Sequence, residues 1–161
     1  MPKLQLFSPC EKVIIANDNT VSLVTIFEKI QLHLPVSEDS KLPPNLQIPF
    51  KWFVFSLWMR EPGDEVKEFE HQVHIVMPGN NPDKDITSNI VKFKMPETRH
   101  HMVVQFPGFP IVSEGIASVK ALFREVGSED WKTMAEYPLE VERPVKVSAS
   151  VSPSASPSPS S

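Results

Sequence analysis

One loop of the sequence spaces oxygen-bearing side chains as a calcium-binding loop does. Four such residues alternate along the chain: Asn81, Asp83, Asp85 and Thr87. They match positions 1, 3, 5 and 7 of that loop, but Ile86 stands where a glycine is needed and Lys92 where a bidentate glutamate is needed. Two interpretations stay open. Asn81, Asp83 and Asp85 hold a metal ion with help from another loop, through Asp18 or Asp39, or the segment is a plain turn.

The five histidines are the next candidate metal ligands. His71 and His74 are three residues apart, and residues at that spacing face opposite sides of a strand. His100 and His101 are adjacent and diverge in the same way. We therefore expect neither pair to share a metal ion, and we expect His71 to be half-buried and the others to be solvated.

No motif for a nucleophile or for phosphate binding occurs. The sequence has no G-x-S-x-G, and Cys10 has no histidine near it in sequence. The five glycines are scattered, so they cannot build a loop that cradles phosphate. We expect a protein that is not an enzyme and needs no cofactor. An enzyme whose catalytic groups converge from distant positions would, however, leave the same pattern.

Residues 50–60, FKWFVFSLWMR, are apolar in both alternating sets. A strand with this pattern is buried on both faces or lies at an interface. One face covers the core. The other is covered by a second layer of the same domain or by a partner, such as a second copy of the chain. On the partner hypothesis, Trp52 and Trp58 are the candidate partner-binding residues.

Strands are the elements that must position these side chains. The chain has 17 prolines and five glycines, and the prolines before residue 148 separate apolar runs. Turn-rich segments at 17–20 and 127–130 each lie between two apolar runs, which is typical of hairpins. Pro138 falls within the last run and predicts an edge strand or a bulge there. We predict an all-β fold, an antiparallel β-sandwich of about eight strands, immunoglobulin-like or C2-like.

Residues 22–34, SLVTIFEKIQLHL, fit two structures. Their apolar residues have helical spacing, at Leu23, Ile26, Phe27, Ile30 and Leu34. A capping box is missing, however, and many of the residues are β-branched. We favour a long strand in which a bulge at residues 28–29 switches the buried face, with the helix as the alternative.

Composition excludes several classes of protein. The net charge is −4 with no basic run, so we expect no nucleic-acid binding. The single cysteine fits a reducing, cytoplasmic compartment, and we find neither a signal peptide nor a membrane span. Residues 148–161 are mostly serine and proline, which predicts a disordered tail. Residues 1–147 then form one β-sandwich domain.

Two groups of segments carry a family resemblance. The first contains CEKVII, the NDNT turn and SLVTIFEKI; the second is EGIASVKALFREVGSEDWKTMAEYPLEV. They resemble an uncharacterised bacterial family of single-domain proteins of unknown function, over about residues 4–141. The resemblance implies a small β-sandwich and no catalytic residues. At the position of Thr25 the family usually has a glycine.

These observations lead to one expected function and one alternative. We expect a non-catalytic binding or structural module that acts through protein–protein contacts, either with another protein or as a homo-oligomer. The alternative is a sandwich that binds calcium or a small ligand through the loop at 80–89.

Overall fold

A computed structural model of the protein describes residues 1–31, 47–79, 82–110 and 114–142. Their regular structure is all β apart from one 3-10 turn at Pro82–Lys84. The strands are β1 (Lys3–Ile15), β2 (Val21–Ile26), β3 (Lys29–Gln31), β4 (Gln47–Ile48), β5 (Trp52–Met59), β6 (Glu68–Val76), β7 (Ile86–Thr87), β8 (Val91–Lys94), β9 (Arg99–Phe106), β10 (Phe109–Pro110), β11 (Gly115–Glu125) and β12 (Lys132–Glu142). The predicted all-β class is confirmed. Twelve strands are described where about eight were predicted, and eight of the twelve have four or more residues.

Two sheets pack face to face. The front sheet has the order β2-β1-β5-β9 and is antiparallel throughout. The back sheet has the order β3-β12-β11-β6, and β7 and β8 both pair with β6. Strands β4 and β10 form a separate two-stranded ribbon. The core between the sheets joins front-sheet residues such as Val54 to back-sheet residues such as Ile75 and Val119.

The two tryptophans of β5 belong to this core. Both are 0% exposed. The Trp52 ring stacks on Phe106 at 4.7 Å between centroids, and the Trp58 ring stacks on Phe123 at 4.6 Å. Each indole N–H is also satisfied, since Trp52 donates to the carbonyl of Gly108 and Trp58 to the Ser56 hydroxyl, both at 3.0 Å. Neither indole is therefore exposed to a partner of the folded chain.

The segment with two interpretations is extended and contains no helix up to residue 31. Strand β2 ends at Ile26, and the Phe27 N–H donates to the Pro9 carbonyl at 3.1 Å. Strand β3 then pairs in parallel with β12 in the other sheet. The predicted bulge is thus a crossing from the front sheet to the back sheet at residues 27–28. The apolar residues of this segment have helical spacing because Ile30, after the crossing, packs in the core as part of the back sheet. Residues 32–34 lie outside the described residues.

Both predicted hairpins are present. β1 and β2 are joined by the turn at 16–20, and β11 and β12 by the turn at 126–131. The bulge of β12 lies at Met134, where the register with β11 shifts, rather than at Pro138. Within the described residues, β3 covers only Glu140–Glu142 of β12, so Pro138 lies at an edge of the described sheet, where its missing N–H breaks no ladder.

Two further predictions concern the ends and the membrane. The Ser/Pro-rich tail at 148–161 and the domain boundary at 147 lie outside the described residues. Within the described part of the chain, nothing forms a helical stretch with the length and hydrophobicity that crossing a bilayer requires.

Candidate functional site

The predicted metal loop is fastened to the body of the protein through Asp85. One Asp85 oxygen accepts the Met77 N–H at 2.9 Å, and the other lies 3.5 Å from His74 Nε2. Asp83 lies in the neighbouring 3-10 turn, whereas Asn81 is outside the described residues. Within the described residues no three His, Cys, Asp or Glu side chains converge into a group that could hold a metal ion. A site at Asn81, Asp83 and Asp85 stays a prediction.

Of the other two acidic candidates, only Asp18 belongs to the described residues. Asp18 lies in the β1–β2 turn, where Oδ1 accepts the Thr20 N–H at 3.0 Å. Hydrogen bonds from Thr20 hold the pKa of this carboxyl below its usual value. Asp39 lies outside the described residues.

The prediction that His71 is half-buried is wrong, because its ring is only 1% exposed. It packs edge-on against Trp58, with 5.7 Å between ring centroids. Neither ring nitrogen has a hydrogen-bond partner among the described residues. Burial lowers the pKa of His71 to about 4, so the ring is neutral near pH 7. His74 faces the other way, as its spacing predicts.

His100 and His101 diverge as predicted, but they are not simply solvated. The His100 ring faces inward and stacks on Phe93 at 4.8 Å, and burial is the main cause that lowers its pKa. His101 stands opposite Leu57 on the outward face of the front sheet. Its ring lies 5.9 Å from that of Phe55.

That outward face is apolar where a solvated sheet would be polar. Residues opposite one another in an antiparallel ladder share a face, so the registers define rows across β1, β5 and β9. The rows are Leu6–Leu57–His101, Ser8–Phe55–Val103 and Cys10–Phe53–Gln105. Leu6 and Val103 are 43% and 41% exposed. The second apolar set of residues 50–60 therefore lies on the outside of the front sheet.

The outer face of the back sheet is different. There Glu70, although buried, accepts a hydrogen bond from Arg124 Nε at 2.5 Å and lies 3.3 Å from Lys92 Nζ. The Arg124 guanidinium also lies over the Trp131 ring, 4.4 Å from its centroid. Charged groups on this face satisfy one another, so the apolar face of the front sheet is the better candidate for a binding surface.

A hairpin arm covers part of the front face. We use "the arm" for residues 11–26, which follow the last β1–β5 pair at Cys10 and Phe53. A straight strand from Leu6 to Ile15, nine steps of about 3.3 Å, would span about 30 Å. Leu6 and Ile15 nevertheless line the same cleft, so the arm must bend back over the outer face of the front sheet.

The bend lies near Thr25. The β1–β2 ladder pairs Cys10 with Ile26 and Lys12 with Val24, with no pair between them. Thr25 has φ 51°, a left-handed conformation that is rare for a β-branched residue. Near this bend Cys10 is fully buried, and burial raises the pKa of its thiol. Phe55, which also faces outward, is only 1% exposed.

Between the arm and the sheet lies a cleft of about 770 Å³. Its residues fall into three groups: a floor of Leu6, Phe55 and Leu57, an arm wall of Ile15, Val21 and Leu23, and polar groups at Asp18, Asn19, Thr20, Glu97, Arg99 and His101. His100 adjoins the cleft, but its ring faces inward. An apolar floor with polar groups around it is typical of a site that binds by burial and orients its ligand by hydrogen bonds. We take this cleft as the candidate functional site.

Sequence reasoning located one part of this site and missed the others. The two apolar sets of residues 50–60 predicted that the outer face of β5 is covered by a second layer of the same domain or by a partner, and Trp52 and Trp58, the candidate residues on the partner hypothesis, lie in the core. Only one feature of the sequence indicated that the arm bends back over the sheet. Thr25 stands at the position where the family that the sequence resembles usually has glycine. Arg99 and His101 had none, because β9 meets the arm only through tertiary folding.

Comparison with known proteins finds no matching family model and no matching curated sequence. The assignment of function to the cleft therefore rests on its geometry.

Proposed function

We propose that this protein is a non-catalytic protein-binding module that holds an extended apolar segment of a partner in the cleft between the arm and the front sheet. The observation that carries the proposal is the apolar outer face of the front sheet, roofed in part by the arm so that a cleft remains. Exposed contiguous apolar surface on a protein of this size is typical of an interaction site.

The dimensions and chemistry of the cleft favour a peptide segment over a compact small ligand. The floor follows the strand direction from Phe55 to Leu57, and alternate side chains of an extended segment have the same repeat. Arg99, Glu97 and Asp18 around the floor supply donors and acceptors for backbone groups. We place the module in the bacterial cytoplasm as part of this proposal, which the single cysteine and the family resemblance support.

A peptide-library selection tests the proposal. Random peptides displayed on phage are selected on the full chain and counted again on two matched variants, Leu57→Lys and Leu122→Lys. Both leucines are half-buried and face outward, but Leu57 lies in the cleft and Leu122 on the back sheet. A lysine at Leu57 places an ammonium group on the apolar floor, so binding there must be lost.

We expect enriched peptides with alternating apolar residues that bind the unchanged chain and Leu122→Lys but not Leu57→Lys. Thermal unfolding of all three proteins tests whether the variants are folded. Peptides that bind Leu57→Lys as well as the unchanged chain, or a selection that yields no binding peptide, would overturn the proposal.

A further inference from the structure

Strand β9 forms one edge of the front sheet among the described strands. Within the described residues, β9 pairs with β5 on one side and with no strand on the other. Just beyond the ladder the Arg60 N–H donates to the Thr98 carbonyl at 2.8 Å. Hydrogen-bonded and non-hydrogen-bonded pairs alternate in an antiparallel ladder, so this bond determines which backbone groups face outward. They are the N–H and C=O groups of Arg99, His101, Val103 and Gln105.

β12, at the opposite end of the back sheet, is protected along its edge, whereas β9 is not. β12 carries a bulge at Met134, a proline at 138, and the charged residues Lys132 and Glu136. These are the devices by which natural proteins prevent a sheet edge from pairing with another chain. β9 has an unbroken ladder with β5, no proline, and a single Lys or Arg, at its first residue.

Apolar side chains flank the open edge. Val103 and Val91 are 41% and 39% exposed and line a groove of about 430 Å³ between β9 and the back sheet. A strand placed along β9 would cover both valines. The edge therefore combines unpaired backbone groups with apolar surface that remains exposed in one chain.

We propose that two copies of this chain dimerise by antiparallel pairing of their β9 strands about a two-fold axis at Met102. Arg99 then pairs with Gln105 of the partner subunit, and His101 pairs with Val103 of the partner subunit. All four outward-facing residues are used in both chains, which makes about eight backbone hydrogen bonds. The two front sheets join into one sheet of eight strands, and both clefts open on the same face of it.

Neighbouring registers are worse for definite reasons. A shift that centres the axis on Val103 brings Pro107, which has no N–H, opposite Arg99. The reverse shift centres the axis on His101 and sets the two imidazoles directly opposite each other, which is unfavourable once they are protonated. Only the register about Met102 uses the whole edge without opposing like charges. A two-fold dimer is also the commonest closed assembly of identical chains.

Sedimentation velocity of the full chain from low to high micromolar concentration tests the dimer. We expect the sedimenting species to have twice the mass of one chain at high concentration. Val103→Pro removes one outward N–H without touching the β5 ladder, and it should shift the species to the mass of one chain. Val103→Thr keeps the N–H and the branched side chain and should leave the dimer intact.

Val103→Lys is a second edge variant, to be used if the proline variant unfolds. It should also be monomeric, because a lysine on an edge strand disfavours pairing with another chain. A single-chain mass for the unchanged protein at every concentration would overturn the proposal. So would a dimer that persists in a folded Val103→Pro or Val103→Lys variant.

Disulfide formation tests the register. In the double variant Arg99→Cys with Gln105→Cys, the new cysteines of opposing chains lie about 5.5 Å apart between Cα atoms, within the range of a disulfide. The control variant combines Arg99→Cys with Val103→Cys, two positions that are not opposite each other in the proposed register. Oxidation should give covalent dimers of the first variant only. Equal cross-linking of both, or of neither, would contradict pairing about Met102. The edge variants leave the cleft floor unchanged, so a failure here is distinguishable from a failure of the peptide-binding proposal.

Discussion

Mild acid should destabilise this protein through His71. The ring is buried against Trp58 with both nitrogens unpartnered among the described residues, and its pKa falls from 6.5 to about 4. The unfolded chain binds a proton at this residue below about pH 6.5, while the folded chain does so only near pH 4. Stability is therefore complete above pH 6.5 and is lost as the pH falls towards 4. Each unit of difference between the folded and unfolded pKa is worth about 1.4 kcal/mol, so His71 accounts for a loss of about 3 kcal/mol in the free energy of unfolding.

The variant His71→Leu isolates this effect. Leucine has a similar volume and leaves no polar atom unpaired, so we expect the free energy of unfolding near pH 7 to stay the same or rise by about 1 kcal/mol. Between pH 6.5 and 4.5 the variant should lose most of the dependence on pH. His100, whose pKa burial also lowers, contributes in the same window, and for this reason the comparison is between variants rather than between pH values.

Urea unfolding at several pH values provides the measurement. The control His74→Leu removes a histidine from the outward face of the same strand and keeps His71, so it should retain the acid-dependent loss. Equal pH dependence of the unchanged chain and of His71→Leu would refute the reasoning. It would mean that the buried ring finds a polar partner when it is protonated.

Three further predictions concern stability and are all measured by thermal or urea unfolding. Thr25→Gly should stabilise the fold by about 0.5–1 kcal/mol, because a left-handed threonine costs more than the extra freedom of glycine in the unfolded chain; a lower melting temperature would contradict a strained bend at Thr25. Trp58→Ala should cost about 3–5 kcal/mol, as expected for a core tryptophan, and a loss below about 1 kcal/mol would mean that the indole is not packed in the core. Glu70→Gln should lower the melting temperature, because Arg124 loses its carboxylate partner; an unchanged value would show that this ion pair adds nothing to stability.

The layered fold was predictable from the sequence because period-two patterns are local. In β6, for example, the fully buried Val73 and Ile75 alternate with less buried residues, and the Asn- and Asp-rich turn after β1 correctly predicted a hairpin, with Asn19 in the left-handed conformation. These local patterns did not predict which distant strands pair with each other. The parallel contact of β3 with β12 joins residues about 110 positions apart, and nothing in either strand alone specifies it.

The candidate site was less predictable for the same reason. Residues 50–60 indicated that one apolar face needs cover, but the choice of face depends on which side the back sheet occupies. The faces of β5 differ little in hydrophobicity, so the sequence did not show which face lies inside, and the tryptophans named on the partner hypothesis lie in the core. The cleft itself depends on the bend of the arm, a tertiary feature whose local trace is the conformation of one residue, Thr25.

The most direct test of binding at the cleft is capture from a lysate of the source cells. Three forms of the full chain serve as bait. The baits are the unchanged protein, Leu57→Lys and Leu122→Lys, and bound proteins are quantified by mass spectrometry. The account predicts at least one protein that the unchanged bait and Leu122→Lys retain equally and that Leu57→Lys loses. Retention by Leu57→Lys at the same level, or no protein retained by the unchanged bait, would contradict the assignment of function to the cleft.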